Sequence, residues 1–232
     1  MLGLSPALRR LRSALLAQDC ALCAAPSGDA LICATCTAEL PAMTSACPQC
    51  GDASPGDQVC GACLAHPPAY DATIAAWRYD FPLDRLVQAL KYGNRLALAA
   101  WFAEALAARL DERRVDLVVP LPLHARRLRE RGFNQAMEIA RRLRKPAGTP
   151  PAPNVLVRSA DTAAQTGLSN EARKRNVRNA FIATQSLDGL RVALVDDVMT
   201  TGATLDAAAR ALKNAGAIHV ENWVVARAVR ND

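Results

Sequence analysis

Two adjacent carboxylates followed by a cluster of hydroxyls carry the densest chemistry in this 232-residue chain. Asp196 and Asp197 follow the apolar run 192–195, and Thr200, Thr201, Gly202, Ala203 and Thr204 come just after them. The run reads as a buried parallel strand, and the Ala-rich stretch 205–214 reads as a helix. In an open α/β sheet, ligands bind beyond the C-terminal ends of the strands. A helix N-terminus with free N–H groups, Thr hydroxyls and a Gly for close approach cradles phosphate. Carboxylates beside a phosphate repel it unless they do something else, such as bonding vicinal sugar hydroxyls or orienting Mg²⁺. The segment therefore points to a phosphorylated ribose. A plainer reading, an Asp-capped strand and a Thr-capped helix, leaves the paired acids and the hydroxyl-rich turn without a role. No G-x-G-x-x-G follows a strand and no G-x-x-x-x-G-K-[ST] occurs, which argues against a dinucleotide fold and a P-loop.

The eight cysteines form the second signal. Cys20, Cys23, Cys33 and Cys36 make one C-x₂-C-x₉-C-x₂-C set, and Cys47, Cys50, Cys60 and Cys63 repeat that spacing 27 residues later. Two thiolates separated by two residues grip one metal from a tight turn, and two such turns supply a tetrahedral sulfur shell for Zn²⁺. The expectation is two structural zinc ribbons, closed to substrate. One zinc with a degraded second site, disulfides, an iron–sulfur cluster, or ligands crossed between the sets remain open. His66 follows Cys63 closely but reads as linker, since the cysteines already suffice. A segment of roughly fifty residues this poor in large apolar groups needs its metal to fold.

The chain is 51% hydrophobic, enough for a core, and carries a net charge of +6. Residues 1–69 hold three arginines against five acids, whereas residues 112–178 hold fifteen Lys/Arg against six acids. The basic field thus lies in the centre of the chain, where it suits an anionic ligand or nucleic acid. Aromatics are only 4%, so no base-stacking platform stands out. Near the N-terminus, Leu8, Leu11, Leu15 and Leu16 fall at helical spacing. Arg9, Arg10 and Arg12 interrupt any signal-peptide core, so this reads as an amphipathic helix. No window is long enough to span a membrane, and a cytoplasmic location fits reduced thiols.

After Pro67-Pro68, strands and helices alternate. Strands are expected at 73–79, 115–119, 155–157, 191–195 and 218–226. Helices are expected at 84–91, 96–110, 133–144, 169–177 and 205–214, with a loop at 145–153. The fold class is α/β, a doubly wound and mostly parallel sheet, with a small N-terminal Cys-rich zinc-ribbon module. The expected division is 1–66 for helix and ribbons, and 67–232 for the α/β domain. The stretch after 115–119 reads as a basic loop. Arg127 and Arg131 lie four apart, and Gly132 lets the backbone approach an anion, which suits bidentate phosphate contacts. A solvated basic surface helix is the plainer reading. His124 either donates to phosphate or holds this loop, and His219 reads as structural.

The Asp-Asp…Thr-Thr-Gly-Ala-Thr segment resembles the phosphoribosyl pyrophosphate (PRPP) signature of type I phosphoribosyltransferases. With the double ribbon, the chain resembles the ComF-like phosphoribosyltransferase family along nearly its whole length. Pro120, Pro122, His124, Arg127 and Arg131 to Gln135 match one family signature, and Lys91-Tyr92 another. Arg158, Thr162, Gln165 to Leu168, Arg173, Asn176 and Phe181 match a third. The resemblance implies that Asp196 and Asp197 meet the ribose hydroxyls, that Thr200 to Thr204 wrap the 5′-phosphate, and that Arg127 and Arg131 meet the diphosphate. It implies a Mg²⁺-dependent phosphoribosyltransferase linked to DNA uptake, with Asp196, Asp197 and Arg131 at the reaction centre and an unassigned acceptor. In it, residues 159–180 form a mobile loop carrying Arg173, Lys174, Arg175 and Arg178. The rival reading is a non-catalytic adaptor for single-stranded DNA and competence proteins, with the basic 126–145 stretch tracking the strand.

Overall fold

The computed structural model describes residues 18–110, 113–158 and 180–229. The expected N-terminal helix, the expected 169–177 helix and positions 159–179 of the expected loop lie outside the described residues.

The first segment holds β1 (Gln18–Asp19), β2 (Pro26–Gly28), α1 (Ala34–Ala38) and α2 (Gly61–Ala65). It has little apolar bulk of its own, and its short elements are built around the cysteines. There follow β3 (Ala72–Arg78), α3 (Leu83–Tyr92), α4 (Ala97–Leu110), β4 (Leu117–Pro120), α5 (Ala125–Arg131) and α6 (Gln135–Ala147). The chain closes with β5 (Leu156–Arg158), β6 (Phe181–Ala183), β7 (Arg191–Met199), α7 (Ala203–Asn214) and β8 (His219–Arg227).

The main sheet has the order β3-β8-β7-β4 and all its pairs are parallel. The central strands are β7 and β8, and their runs 192–195 and 223–226 are buried on both faces. Leu98, Phe102, Leu106, Ile139 and Leu143 of α4 and α6 fill one face. Leu205, Ala208 and Leu212 of α7, with the antiparallel β5–β6 pair, fill the other. This is the expected doubly wound α/β sheet.

The two ribbons take different faces. Cys20, Ile32 and Leu40 join the α3/α4 core, whereas Cys47, Cys50 and Cys63 join the α7 core. Between them the chain runs along the edge strand β3. The Arg78 N–H donates to the Pro41 carbonyl at 2.9 Å, and the Thr73 N–H to the Pro48 carbonyl at 3.0 Å. The ribbons thereby cover an edge that would otherwise be open to another strand.

Three local expectations change. First, β7 runs through Met199, because Asp196, Val198 and Met199 stay paired with Val224, Ala226 and Arg227 of β8. The acids therefore sit within the strand's last turn of pleat, not beyond it. Second, the basic loop is the helix α5. His124 Nδ1 accepts from the Arg126 N–H at 3.2 Å to start it, and Gly132 at φ 76° ends it. Its Leu128 is 44% exposed, so no apolar face announces the helix in the sequence. Third, α6 continues past position 145 to Ala147, and Gly148 in left-handed conformation ends it.

Candidate functional site

The site lies at the C-terminal ends of β7 and β4. Asp196 and Asp197 line a cavity of about 350 Å³ together with Lys91, Arg127, Arg131, Gln135, Arg158, Thr200 and Thr204. A second cavity of about 410 Å³ shares Lys91, Arg127 and Arg131, and adds Tyr92, Asn94 and Glu130.

Each side chain has a local reason for its place. Asp197 is buried, its N–H donates to Asp196 Oδ1 at 2.8 Å, and its Oδ1 meets Lys91 Nζ at 2.9 Å. Lys91 occupies the last turn of α3, where a cation also suits the helix dipole. Burial first, and the Asp197 charge second, push Asp196 up to about 7. Arg131 ends α5 and stacks over the Tyr92 ring with its guanidinium carbon 5.1 Å from the centroid. It donates to Tyr92 Oη at 3.2 Å and to Gln135 Oε1 at 3.1 Å. An arginine has no acceptor, so the Gln135 oxygen must face it and the amide nitrogen must face away. That nitrogen is buried with no hydrogen-bond partner among the described residues, as is Arg158 Nε. Burial, then the charge of Arg127, lower Arg158 from its ordinary value. Asn134 caps α6 by accepting from the Met137 N–H at 3.3 Å, and donates to the Leu121 carbonyl at 3.0 Å.

Asp196, Asp197, Arg127, Arg131, Thr200 and Thr204 therefore gather around one cavity. Thr201, Gly202 and Ala203 do not line it. They line a separate cavity of about 690 Å³ against the second ribbon, with Cys50, Cys63, His66 and Arg227. Gly202 has φ +80°, and a Cβ there would lie 2.7 Å from Met199 Cε and 2.9 Å from Tyr70 Oη. Only glycine fits where the loop crosses that tyrosine. His124 caps α5. His219 faces Asp71 at 3.6 Å and Glu221 at 3.3 Å. Arg173, Lys174, Arg175 and Arg178 lie outside the described residues.

Lys91, Gln135 and Arg158 enter the sequence reading only as members of family signatures, with no role attached, and Arg227 does not enter it at all. Lys91 looks like an ordinary dipole-facing cation, and Arg158 ends a three-residue strand. Arg227 leaves one trace, a charge closing an otherwise apolar strand end.

Each cysteine set gathers with itself, its four sulfurs within 4.8 Å of one another. The crossed arrangement is thereby set aside. A tetrahedral ZnS₄ shell with Zn–S near 2.3 Å requires sulfurs about 3.8 Å apart. Cys23 and Cys33 are at 3.8 Å, and Cys50 and Cys60 at 3.6 Å, so both sets fit Zn²⁺. Burial raises the Cys20 thiol, but N–H groups of Cys23, Cys33 and Leu22 outweigh it and bring it to about 6. Cys47 likewise falls to about 7 through the N–H groups of Cys50, Cys60 and Gln49. Crowding by Cys23 and Cys33 pushes Cys36 far up, while burial and then Cys50 do the same to Cys63. Four thiols this close cannot all ionise without a cation among them. Hard carboxylate oxygens at Asp196 and Asp197 also fit Mg²⁺.

Two protein-family models match the chain: a phosphoribosyl transferase domain at residues 128–230 and a double zinc ribbon domain at residues 11–64. The DNA utilization protein YhgH of Salmonella typhimurium is 36% identical over 204 residues, 84% of this chain and 90% of that one. YhgH of Escherichia coli is 33% identical over 218 residues, 90% and 96% of the two chains. Competence protein F of Haemophilus influenzae is 33% identical over 171 residues, 69% and 75%. Relatives of this similarity and coverage, and a zinc-ribbon module joined to a phosphoribosyltransferase-type sheet, show that the chain belongs to the ComF family.

Proposed function

We propose that the chain binds PRPP with Mg²⁺ at the Asp196–Asp197 cavity and transfers its phosphoribosyl group to an acceptor not yet assigned. One observation carries this reading: two carboxylates on β7 face three arginines, Arg127, Arg131 and Arg158, across a cavity of about 350 Å³. Neither a plain anion site nor a plain cation site needs both charges. A sugar carrying vicinal hydroxyls and a diphosphate needs both.

In this reading Asp196 and Asp197 accept from the ribose hydroxyls, and Thr200 and Thr204 meet the 5′-phosphate. Mg²⁺ on the carboxylates would draw charge from the departing diphosphate. Lys91 neutralises Asp197 before the ligand arrives and turns toward the diphosphate afterwards. As the C1–oxygen bond breaks, the ring gains oxocarbenium character that Asp197 offsets, while Arg131 offsets the charge on the diphosphate. The acceptor nucleophile then bonds to C1 and loses its proton to solvent. Both zinc ribbons are structural, and metal-bound thiolates suit a cytoplasmic protein. We take 1–66 as the ribbon module and 67–232 as the transferase unit. The names of the relatives, competence and DNA utilization, suggest that the chemistry serves DNA handling.

The test is thermal unfolding of the zinc-loaded protein with Mg²⁺ and PRPP. The reading expects a raised Tm in the wild type and none in Asp196→Asn/Asp197→Asn, since a ligand stabilises only the state that binds it. Equal shifts in both proteins, or none in either, would reject it.

The same relatives favour a second reading, a non-catalytic contact for single-stranded DNA along α6. Arg141 and Arg142 there pair with Glu138 at 2.6 and 2.9 Å, which reduces the free charge they offer. Salt-dependent DNA binding lost on charge reversal of Arg141, Arg142 and Arg144, with PRPP binding retained, would favour it.

A further inference from the structure

Arg227 is a buried cation that neither the carboxylate site nor the cysteine sites employ directly. It ends β8 with its side chain 2% exposed. Its Nε donates to the carbonyl oxygen of Cys50 at 2.8 Å, and its Nη2 to Asp52 Oδ2 at 3.4 Å, both in the second ribbon. Its Nη1 donates to the carbonyls of Met199 at 3.3 Å, Thr200 and Ala228. A guanidinium is a rigid fork of donors, so the spacing between these acceptors is fixed by one planar group. On one side of the fork is the backbone of a metal-ligating cysteine. On the other are the first carbonyls of the hydroxyl loop.

The surrounding packing reinforces the link. A Cβ at Gly51 would lie 3.6 Å from Arg227 Cγ, so the knuckle rests on the arginine stem. Tyr70 fills the space between the loop's Gly202 and the second ribbon. Among the described residues no hydrogen bond joins a first-ribbon cysteine to this loop, and that ribbon packs on the opposite face of the sheet.

We propose that Arg227 is a positioning residue that couples the second zinc site to the 199–204 loop. Metal fixes Cys50, the Cys50 carbonyl and Asp52 fix the guanidinium, and the guanidinium holds the loop so that Thr200 and Thr204 face the carboxylate cavity. The first ribbon has no such role. Coupling of this kind is reciprocal: loop order depends on zinc, and zinc retention depends on Arg227. Only the ligand consequence rests on the PRPP reading; the coupling itself does not.

The test is hydrogen exchange of the full-length, zinc-loaded protein, read on the 199–204 segment, with the α4 core as internal reference. Cys63→Ser removes one ligand of the second site and Cys36→Ser one of the first. Arg227→Gln and Arg227→Lys probe the fork. Cys63→Ser and Arg227→Gln are expected to speed exchange of the loop by at least about tenfold, with Cys36→Ser and the α4 reference unchanged within about twofold. Arg227→Lys, which keeps the charge but not the fork, falls between, and it carries the test if Arg227→Gln does not fold. In a chelator competition, Arg227→Gln releases one zinc equivalent at least about tenfold faster while the other is unaffected. Loop exchange unchanged in Cys63→Ser and in the Arg227 variants, or equally raised in Cys36→Ser, overturns the coupling. Wild-type protein that fails to bind Mg²⁺–PRPP would reject the ligand reading alone, because the exchange and chelation results decide the coupling without it.

Discussion

Asp196→Asn should stabilise the protein, and more so as pH rises. Asp196 is held at about 7 in the folded state by burial and then by Asp197, against about 3.9 in an unfolded chain. The folded state therefore keeps its proton through a window in which the unfolded chain has lost it. Stability from this group is fully present below about pH 4, declines as pH rises through the window, and is gone above about pH 7. At 1.36 kcal/mol per pH unit the whole window is worth at most about 4 kcal/mol. Asp196 keeps some contact with solvent and its neighbour Lys91 supplies countercharge, so about 1–2 kcal/mol is the working figure. Asparagine removes the titration while keeping the shape. The assay is urea unfolding of zinc-loaded wild type and Asp196→Asn between about pH 5 and pH 8, a range in which zinc effects cancel in the difference. The variant should gain about 1–2 kcal/mol over wild type across that range. Two stability curves that run parallel would refute the claim that burial beside Asp197 holds the proton on Asp196.

Gly202→Ala should cost about 1–3 kcal/mol in urea unfolding, because its Cβ meets Met199 and Tyr70 at a positive φ. Gln135→Met should leave stability within about 1 kcal/mol, since removing a buried amide nitrogen with no partner among the described residues offsets the lost bond to Arg131. If that nitrogen meets the ligand, the same variant weakens Mg²⁺–PRPP binding at least about tenfold, read by calorimetry. Acidification should release zinc into a colorimetric chelator as protons recapture Cys20 and Cys47, whose free thiols lie near 6 and 7. The bound metal shifts that release to lower pH, and release that does not depend on pH would contradict thiolate ligation.

The sheet was legible because 192–195 and 223–226 are apolar on both faces, a pattern that suits a covered parallel strand. The cysteine spacing was legible for a similar reason, since repeated C-x₂-C pairs have few other uses. The helix α5 was not, because its existence rests on a His cap, a terminal Gly and an Arg126–Glu130 pair at 2.8 Å, not on an apolar face. The extra length of β7 was hidden because its last residues include two acids, which local propensity disfavours in a strand and pairing with β8 overrides. The cavity itself was half legible. Its carboxylates and hydroxyls stand together in sequence, but Lys91, Gln135 and Arg158 reach it from three other elements. Arg227 was hidden most completely, as its partners Cys50 and Thr200 lie 177 and 27 residues away.

The central claim is that the paired carboxylates and the arginines opposite them form a PRPP site. Its most direct test is calorimetric titration of PRPP with Mg²⁺ into the zinc-loaded protein and into Asp196→Asn/Asp197→Asn. Saturable binding with one site per chain in the wild type, lost in the double variant, is the predicted result. No heat in the wild type, or binding that survives loss of both carboxylates, would contradict the account.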